Sequence, residues 1–139
     1  MALGDTGQGG AGRRGGDGQK PAKGTVRVPF VRRCELEIEG QPAGSAFIVN
    51  INVLGAYVAR DVIPSVGQAV RLRFDTPGHA VAVQTEGTIV WANPRQTHPV
   101  HSLPPGFGLR FDSLGAAARE RIEAVVSAWT VRQGTTRRR

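Results

Sequence analysis

From Val31 to Glu39 apolar and charged residues alternate, with Cys34, Leu36 and Ile38 on one side and Arg33, Glu35, Glu37 and Glu39 on the other. A period of two is the signature of a strand that is wet on one face. Turn chemistry in the GQPAG of residues 40–44 ends the run. Two stretches of β-forming residues follow, Ser45 to Ile51 and Gly55 to Ala59, separated by Asn52, Val53 and Leu54. They predict two strands with a sharp reversal at Gly55. After Pro64 and Gly67, Val70, Leu72 and Phe74 alternate with Arg71 and Arg73, which gives a fourth strand over Ala69 to Phe74. A turn at Thr76 to Gly78 leads into a long fifth strand from His79 to Trp91, marked by Val81, Val83, Thr85, Ile89 and Trp91 and kinked at Gly87. A loop with four prolines separates it from a sixth strand, Gly106 to Phe111, with Phe107, Leu109 and Phe111 on one side.

The period then changes. Ala118, Ile122, Val125, Val126 and Trp129 repeat at helical spacing, while Arg119, Glu120, Arg121 and Glu123 stay polar. This is an amphipathic helix, with Gly115 as its N-cap and Gly134 placed to terminate it. Six short strands and one closing helix predict a mainly β fold, a small antiparallel barrel plugged or flanked by the helix.

Nine of the 19 glycines fall in the first 24 residues, among Asp, Gln, Arg and Lys and almost nothing large and apolar. Such a segment cannot offset its ordering entropy, so residues 1–24 read as a disordered tail, 25–130 as the folded body and 131–139 as a flexible basic tail. Gly7, Gly9 and Gly12 make a literal G-x-G-x-x-G, but no strand precedes it and no helical pattern follows, so it is a chance match. The formal charge of +7 sits at the ends: residues 1–24 carry four basic and two acidic side chains, residues 131–139 four basic and none acidic. The body between them is close to neutral. That argues against a broad nucleic-acid face, although Arg137, Arg138 and Arg139 add salt-sensitive attraction to polyanions. A lone cysteine, Cys34, forbids an intramolecular disulfide and suits a reducing cytoplasm. The sequence offers no apolar run long enough to span a membrane.

Convergent chemistry for catalysis is not evident, and the reading is a binding domain rather than an enzyme. His98 and His101 form an H-x-x-H in a proline-rich loop without the helix and glutamate of a zincin, and read as solvated loop histidines. Cys34 reads as a small hydrophobe on an inward strand position, and the three glutamates as ordinary β-surface. Trp91 and Trp129 read as core or edge packing, though either can offer a stacking face to a base. More informative are the basic arm KGTVRVPFVRR, residues 23–33, and the loop NINVLG, residues 50–55. Both flank the first strands, so a barrel brings a cationic arm over a polar loop, which makes an anion or nucleotide site.

With these two segments the chain resembles the PilZ family over residues 23–129, including the PPGFGLRFDSL that precedes the helix. The resemblance implies a six-stranded antiparallel β-barrel with one C-terminal α-helix. It also implies a bacterial regulatory domain that binds cyclic di-GMP and signals to a partner protein by ordering its N-terminal arm. The family's motifs are R-x-x-x-R in the arm and (D/N)-x-S-x-x-G between the second and third strands. Arg27 matches the second arginine, with Lys23 in place of the first; Asn50 and Gly55 match the second motif, with Asn52 at the serine position. By this resemblance Lys23, Arg27, Asn50, Asn52 and Gly55 are the ligand-binding residues, with no metal and no cofactor beyond the regulatory ligand. Lys is a point charge without a planar fork, and Asn is longer than Ser, so both departures alter geometry. The alternative is a degenerate adaptor that contacts a protein partner without nucleotide. Two bland readings stand beside these: Lys23 as a solvated tail residue, and Asn50, Asn52 and Gly55 as a tight turn needing unusual backbone angles.

Overall fold

The computed structural model describes residues 26–41, 44–95 and 103–137. Lys23, His98, His101 and the tail before Val26 lie outside them. Six strands form in sequence: β1 (Val28–Ile38), β2 (Gly44–Ile51), β3 (Gly55–Ala59), β4 (Ala69–Phe74), β5 (Val83–Asn93) and β6 (Gly106–Phe111), followed by the helix α1 (Ala116–Arg137). Every pairing is antiparallel, and the order β1-β2-β3-β6-β5-β4 closes on itself because β4 pairs with β1. Closure leaves no free sheet edge in the barrel, so each strand finds ladder partners on both sides.

The alternation read from β1 is what fills this barrel. Cys34, Leu36 and Ile38 point inward and meet Ile48, Val58, Leu72, Ile89, Phe107 and Leu109 in a continuous apolar core. Outward residues of β1 and β4 pair by charge instead. Glu37 lies opposite Arg71, which also faces Glu86 across β5, and Glu35 lies opposite Arg73, with N–O distances of 2.7, 3.2 and 3.3 Å. These side chains are more than half exposed and screened by solvent, so the ladder mainly supports register. Arg33 donates to Ser45 across β2 at 3.5 Å rather than pairing with Glu35.

The helix packs against β1 and β5, the two strands that flank β4, and so bridges the end of β4. Ile122 and Val126 are buried, and Val125 and Trp129 are partly so. Just past β4, Thr76 Oγ1 accepts from Arg121 Nε and Nη2 at 3.0 and 2.6 Å, fixing the helix to the β4–β5 turn. Gly115 O accepts from Arg119 N at 2.9 Å, as an N-cap carbonyl does.

Three sequence expectations are corrected. β5 starts at Val83, not His79, because Phe74 pairs with Val83 and the hairpin loop occupies residues 75–82; Val81 is left exposed. The irregularity in β5 falls between Ile89 and Trp91, while Gly87 stays in register with Val70 and Phe111. The helix runs through Gly134 to Arg137, so residues 131–137 are helical rather than a flexible tail. Gly134 costs helix propensity but does not break the hydrogen-bond ladder as proline would.

Burial pushes the Cys34 thiol up from 9.0 to about 11. The unfolded thiol ionises first, so the stability due to its burial is fully present below pH 9 and is lost as pH rises from 9 to 11. Tyr57 is raised in the same sense by burial, so a difference measurement is needed. In urea denaturation, the midpoint of the wild-type chain should fall more steeply across that window than that of Cys34→Val. Parallel slopes would show that the thiol carries none of the dependence.

Candidate functional site

Asn50 is near the end of β2, and Asn52 opens the three-residue reversal into β3. Asn52 is buried, and its Oδ1 accepts from Leu54 N at 2.8 Å and Gly55 N at 3.0 Å, while Asn52 N donates to Gly55 O at 2.9 Å. This is an Asx-type turn, in which a side-chain carbonyl stands in for a backbone acceptor. Asn52 thus holds the loop in shape, as the tight-turn reading expected. Gly55, however, has no positive φ. Its requirement is proximity, because a Cβ there would collide with the backbone carbonyl of Leu109 on β6.

The arm reaches this turn from the other side. Val28 and Pro29 pair with Ile51 and Asn50, which carries Arg27 to the turn, and Arg27 Nη1 donates to Asn50 Oδ1 at 3.5 Å. The contact is long and weak, but it sets the cationic fork of the arm beside the polar group of the loop. Burial lowers the Arg27 pKa from its usual value, yet a guanidinium stays charged at any physiological pH. Arg32 lies over the Phe30 ring at 5.6 Å, and Arg110, opposite Gly55 in register, pairs with Asp112 at 3.3 Å, so Arg27 is the arginine that bonds to the amide of Asn50. The structure therefore unites Arg27, Asn50, Asn52 and Gly55; Lys23 lies outside the described residues.

Asn50 also heads an outward row across four strands. It pairs with Tyr57, Tyr57 with Gly108, and Gly108 with Trp91. With no side chain at Gly108, the Tyr57 and Trp91 rings approach to 5.5 Å between centroids. Tyr57 is buried although it faces outward: its hydroxyl donates to Pro104 O at 2.6 Å, and Asn93 Nδ2 donates to the same hydroxyl at 3.1 Å. Trp91 stays 41% exposed. It thus keeps one ring surface open on the wall that carries Asn50. No spacing rule in the sequence links Tyr57 to Trp91. The register supplies that link, and the glycine between two β-formers in β6 was the available signal.

Among the described residues no cluster of His, Cys, Asp and Glu could hold a metal ion, and no helix is long and apolar enough to cross a membrane.

The sequence model described as the PilZ domain matches residues 24–128 of the chain. Among solved structures, the fold is similar to the "PilZ domain with c-di-GMP of YcgR from Escherichia coli", with a TM-score of 0.60 and 7% identity, over 82% of this chain and 95% of that one. It is similar to the Bacillus subtilis inhibitor of motility MotI (DgrA), with a TM-score of 0.61 and 16% identity, over 84% of this chain and 53% of that one. A third likeness is to the PilZ domain of CeSA from a cellulose-synthesizing bacterium, at 0.52 and 12%, over 75% and 97%. No curated protein matches the sequence.

Two substitutions separate turn from ligand chemistry. Asn52→Ala removes the acceptor of two backbone donors and should cost about 2 kcal/mol in urea denaturation, whereas Asn52→Ser, which caps turns more weakly, should cost less. Gly55→Ala should destabilise by about 1–3 kcal/mol because backbone, not a movable side chain, occupies the space. Equal stability of Asn52→Ala and wild type would remove the structural role of that side chain.

Proposed function

Because this chain belongs to the PilZ domain family, we propose that it is a cyclic di-GMP receptor whose ligand lies on the outer wall of the barrel between the arm and Trp91. The observation that carries the reading is the meeting of Arg27 with Asn50, which joins the two halves of the family's ligand motif at one end of the β1–β2 pair. A cyclic dinucleotide brings two phosphates and two guanines. The planar guanidinium of Arg27 suits either a phosphate or the acceptor pair O6 and N7 of guanine, both of which it can bind in bidentate fashion. Asn50 offers an amide to a base edge. Asn52 acts one step back, by shaping the turn that presents Asn50.

Trp91 joins this set. Its exposed ring stands in the same outward row as Asn50, and base-on-indole stacking is worth about 1–3 kcal/mol. Lys23 precedes Arg27 by four residues and would add an unforked positive charge to the dianion. Ligand held by Arg27 would fix the arm against the barrel, and a partner protein that distinguishes the fixed arm from the free one would read the signal. YcgR and MotI are the similar proteins whose names connect this fold to cyclic di-GMP and to motility; the process controlled by this chain follows from its own partner.

Titration calorimetry of the full chain with cyclic di-GMP should give saturable binding that Arg27→Ala weakens by about tenfold or more, as loss of a charge-assisted hydrogen bond does. Trp91→Ala should weaken it by a similar factor and also lower the unliganded melting temperature through loss of the Tyr57 contact, whereas Trp91→Phe, which keeps a stacking ring, should retain most of the affinity. Absence of both heat and thermal shift for the wild-type chain at high ligand would overturn the receptor reading.

A further inference from the structure

We infer that a groove at the far end of the β2–β3 hairpin is a docking site for an extended segment of a partner protein that presents a carboxylate next to an apolar side chain. Ser45, Phe47, Arg60, Arg95, Pro104 and Pro105 line the groove, which has a volume of about 350 Å³. Phe47 in the groove and Asn50 at the arm are three strand residues apart, roughly 10 Å at strand rise, so the two sites are neighbours that share no residue.

Arg60 supplies the groove's cationic wall. Its backbone N donates to Pro105 O at 3.0 Å, which fixes the residue where β3 ends. Its guanidinium lies along Gly44, with Nη2 only 3.1 Å from where a Cβ on that residue would stand. Nη1 is sealed from solvent and has no acceptor among the described residues. A guanidinium donor held dry and unpaired is unfavourable, and an arriving carboxylate toward which it can turn relieves that cost. The groove's own acid does not serve: Asp61 is taken by Arg95 at 3.1 Å. Arg33, opposite Phe47 in register, donates to the neutral Ser45 at 3.5 Å. Arg60 is therefore the positive charge of the groove left without a carboxylate among the described residues, the complement of an acidic segment.

The apolar half is equally defined. Phe47 is 51% exposed on the outer wall and shares the groove with Pro104 and Pro105. Rings and prolines in a shallow groove suit one aliphatic side chain, lost from water at no cost in ordering long flexible residues. A closed barrel has no edge to which a partner could add a strand, so recognition here must go through side chains.

The full-length chain, isotope-labelled, can be titrated with acetyl-Leu-Glu-Leu amide and with its Gln counterpart while Arg Nε–Hε and Phe ring signals are followed by NMR. The glutamate peptide should move the Arg60 and Phe47 signals and bind about tenfold more tightly than the glutamine peptide, the worth of a charge-assisted hydrogen bond. Arg60→Gln should erase that preference, and Phe47→Ala, at an exposed position, should weaken both peptides while leaving cyclic di-GMP binding unchanged. Equal affinity for the two peptides would overturn the inference. So would shifts confined to Arg27 and Asn50, an equal response of Arg60 to inorganic phosphate, or concentration-dependent shifts without peptide, which would make a second copy the occupant.

Discussion

β6 lies between β3 and β5 with backbone pressed against positions that carry no side chain: the Leu109 carbonyl fills the space of a Cβ on Gly55, and the Val58 carbonyl that of a Cβ on Gly106. This close approach closes the barrel on one side, as the β1–β4 ladder closes it on the other. It also decides where the functional elements sit. Gly55 ends the β2–β3 reversal, so the contact that packs β6 also fixes the loop bearing Asn50 and Asn52. Phe111 N donates to Leu54 O at 2.8 Å, tying the same reversal to the far end of β6. The loop beside Arg27 is therefore held by main-chain hydrogen bonds and packing, before any ligand arrives.

How much of this was legible depended on the range of the signal. β3, β4 and β6 run between the residues that periodicity and turn chemistry marked, because in each the pattern is set by neighbours two residues away. The start of β5 was misplaced because Val81 has the residue type of a strand but no partner opposite it, and partner positions are set by β4. The helix overran Gly134 for a related reason: one glycine lowers propensity without removing a donor, and nothing apolar was needed to carry the chain past it. At the site, Arg27 and Asn50 were readable from family motifs, but the burial of Asn52 and the Tyr57–Trp91 contact arise from register across four strands. Local pattern does not encode register of that reach.

Charge is divided in a way the net value conceals. The wall formed by β1, β4 and β5 pairs its arginines internally and keeps a negative excess, with Glu35, Glu37 and Glu86 against Arg71 and Arg73. The opposite wall, with β2 and β3 at its centre, carries Arg27 beside a neutral amide and Arg60 with one guanidinium nitrogen that has no acceptor among the described residues. Anionic chemistry is thus steered to one side of a body whose total is nearly neutral. The basic ends of the sequence add long-range attraction, screened by salt over about 10 Å.

The Tyr57 hydroxyl has a mechanical consequence. Its bonds to Pro104 O and from Asn93 Nδ2, together with the Arg95–Asp61 pair, pin the chain both where it leaves β5 and where it returns to β6. With the two anchors fixed, the entropic penalty for lengthening the connection grows only logarithmically. Asn93 and Arg95 on one side and Pro104 on the other are therefore anchored to the barrel independently of how many residues run between them, so the hydrogen-bond ladders of β5 and β6 are insulated from the length of their connection.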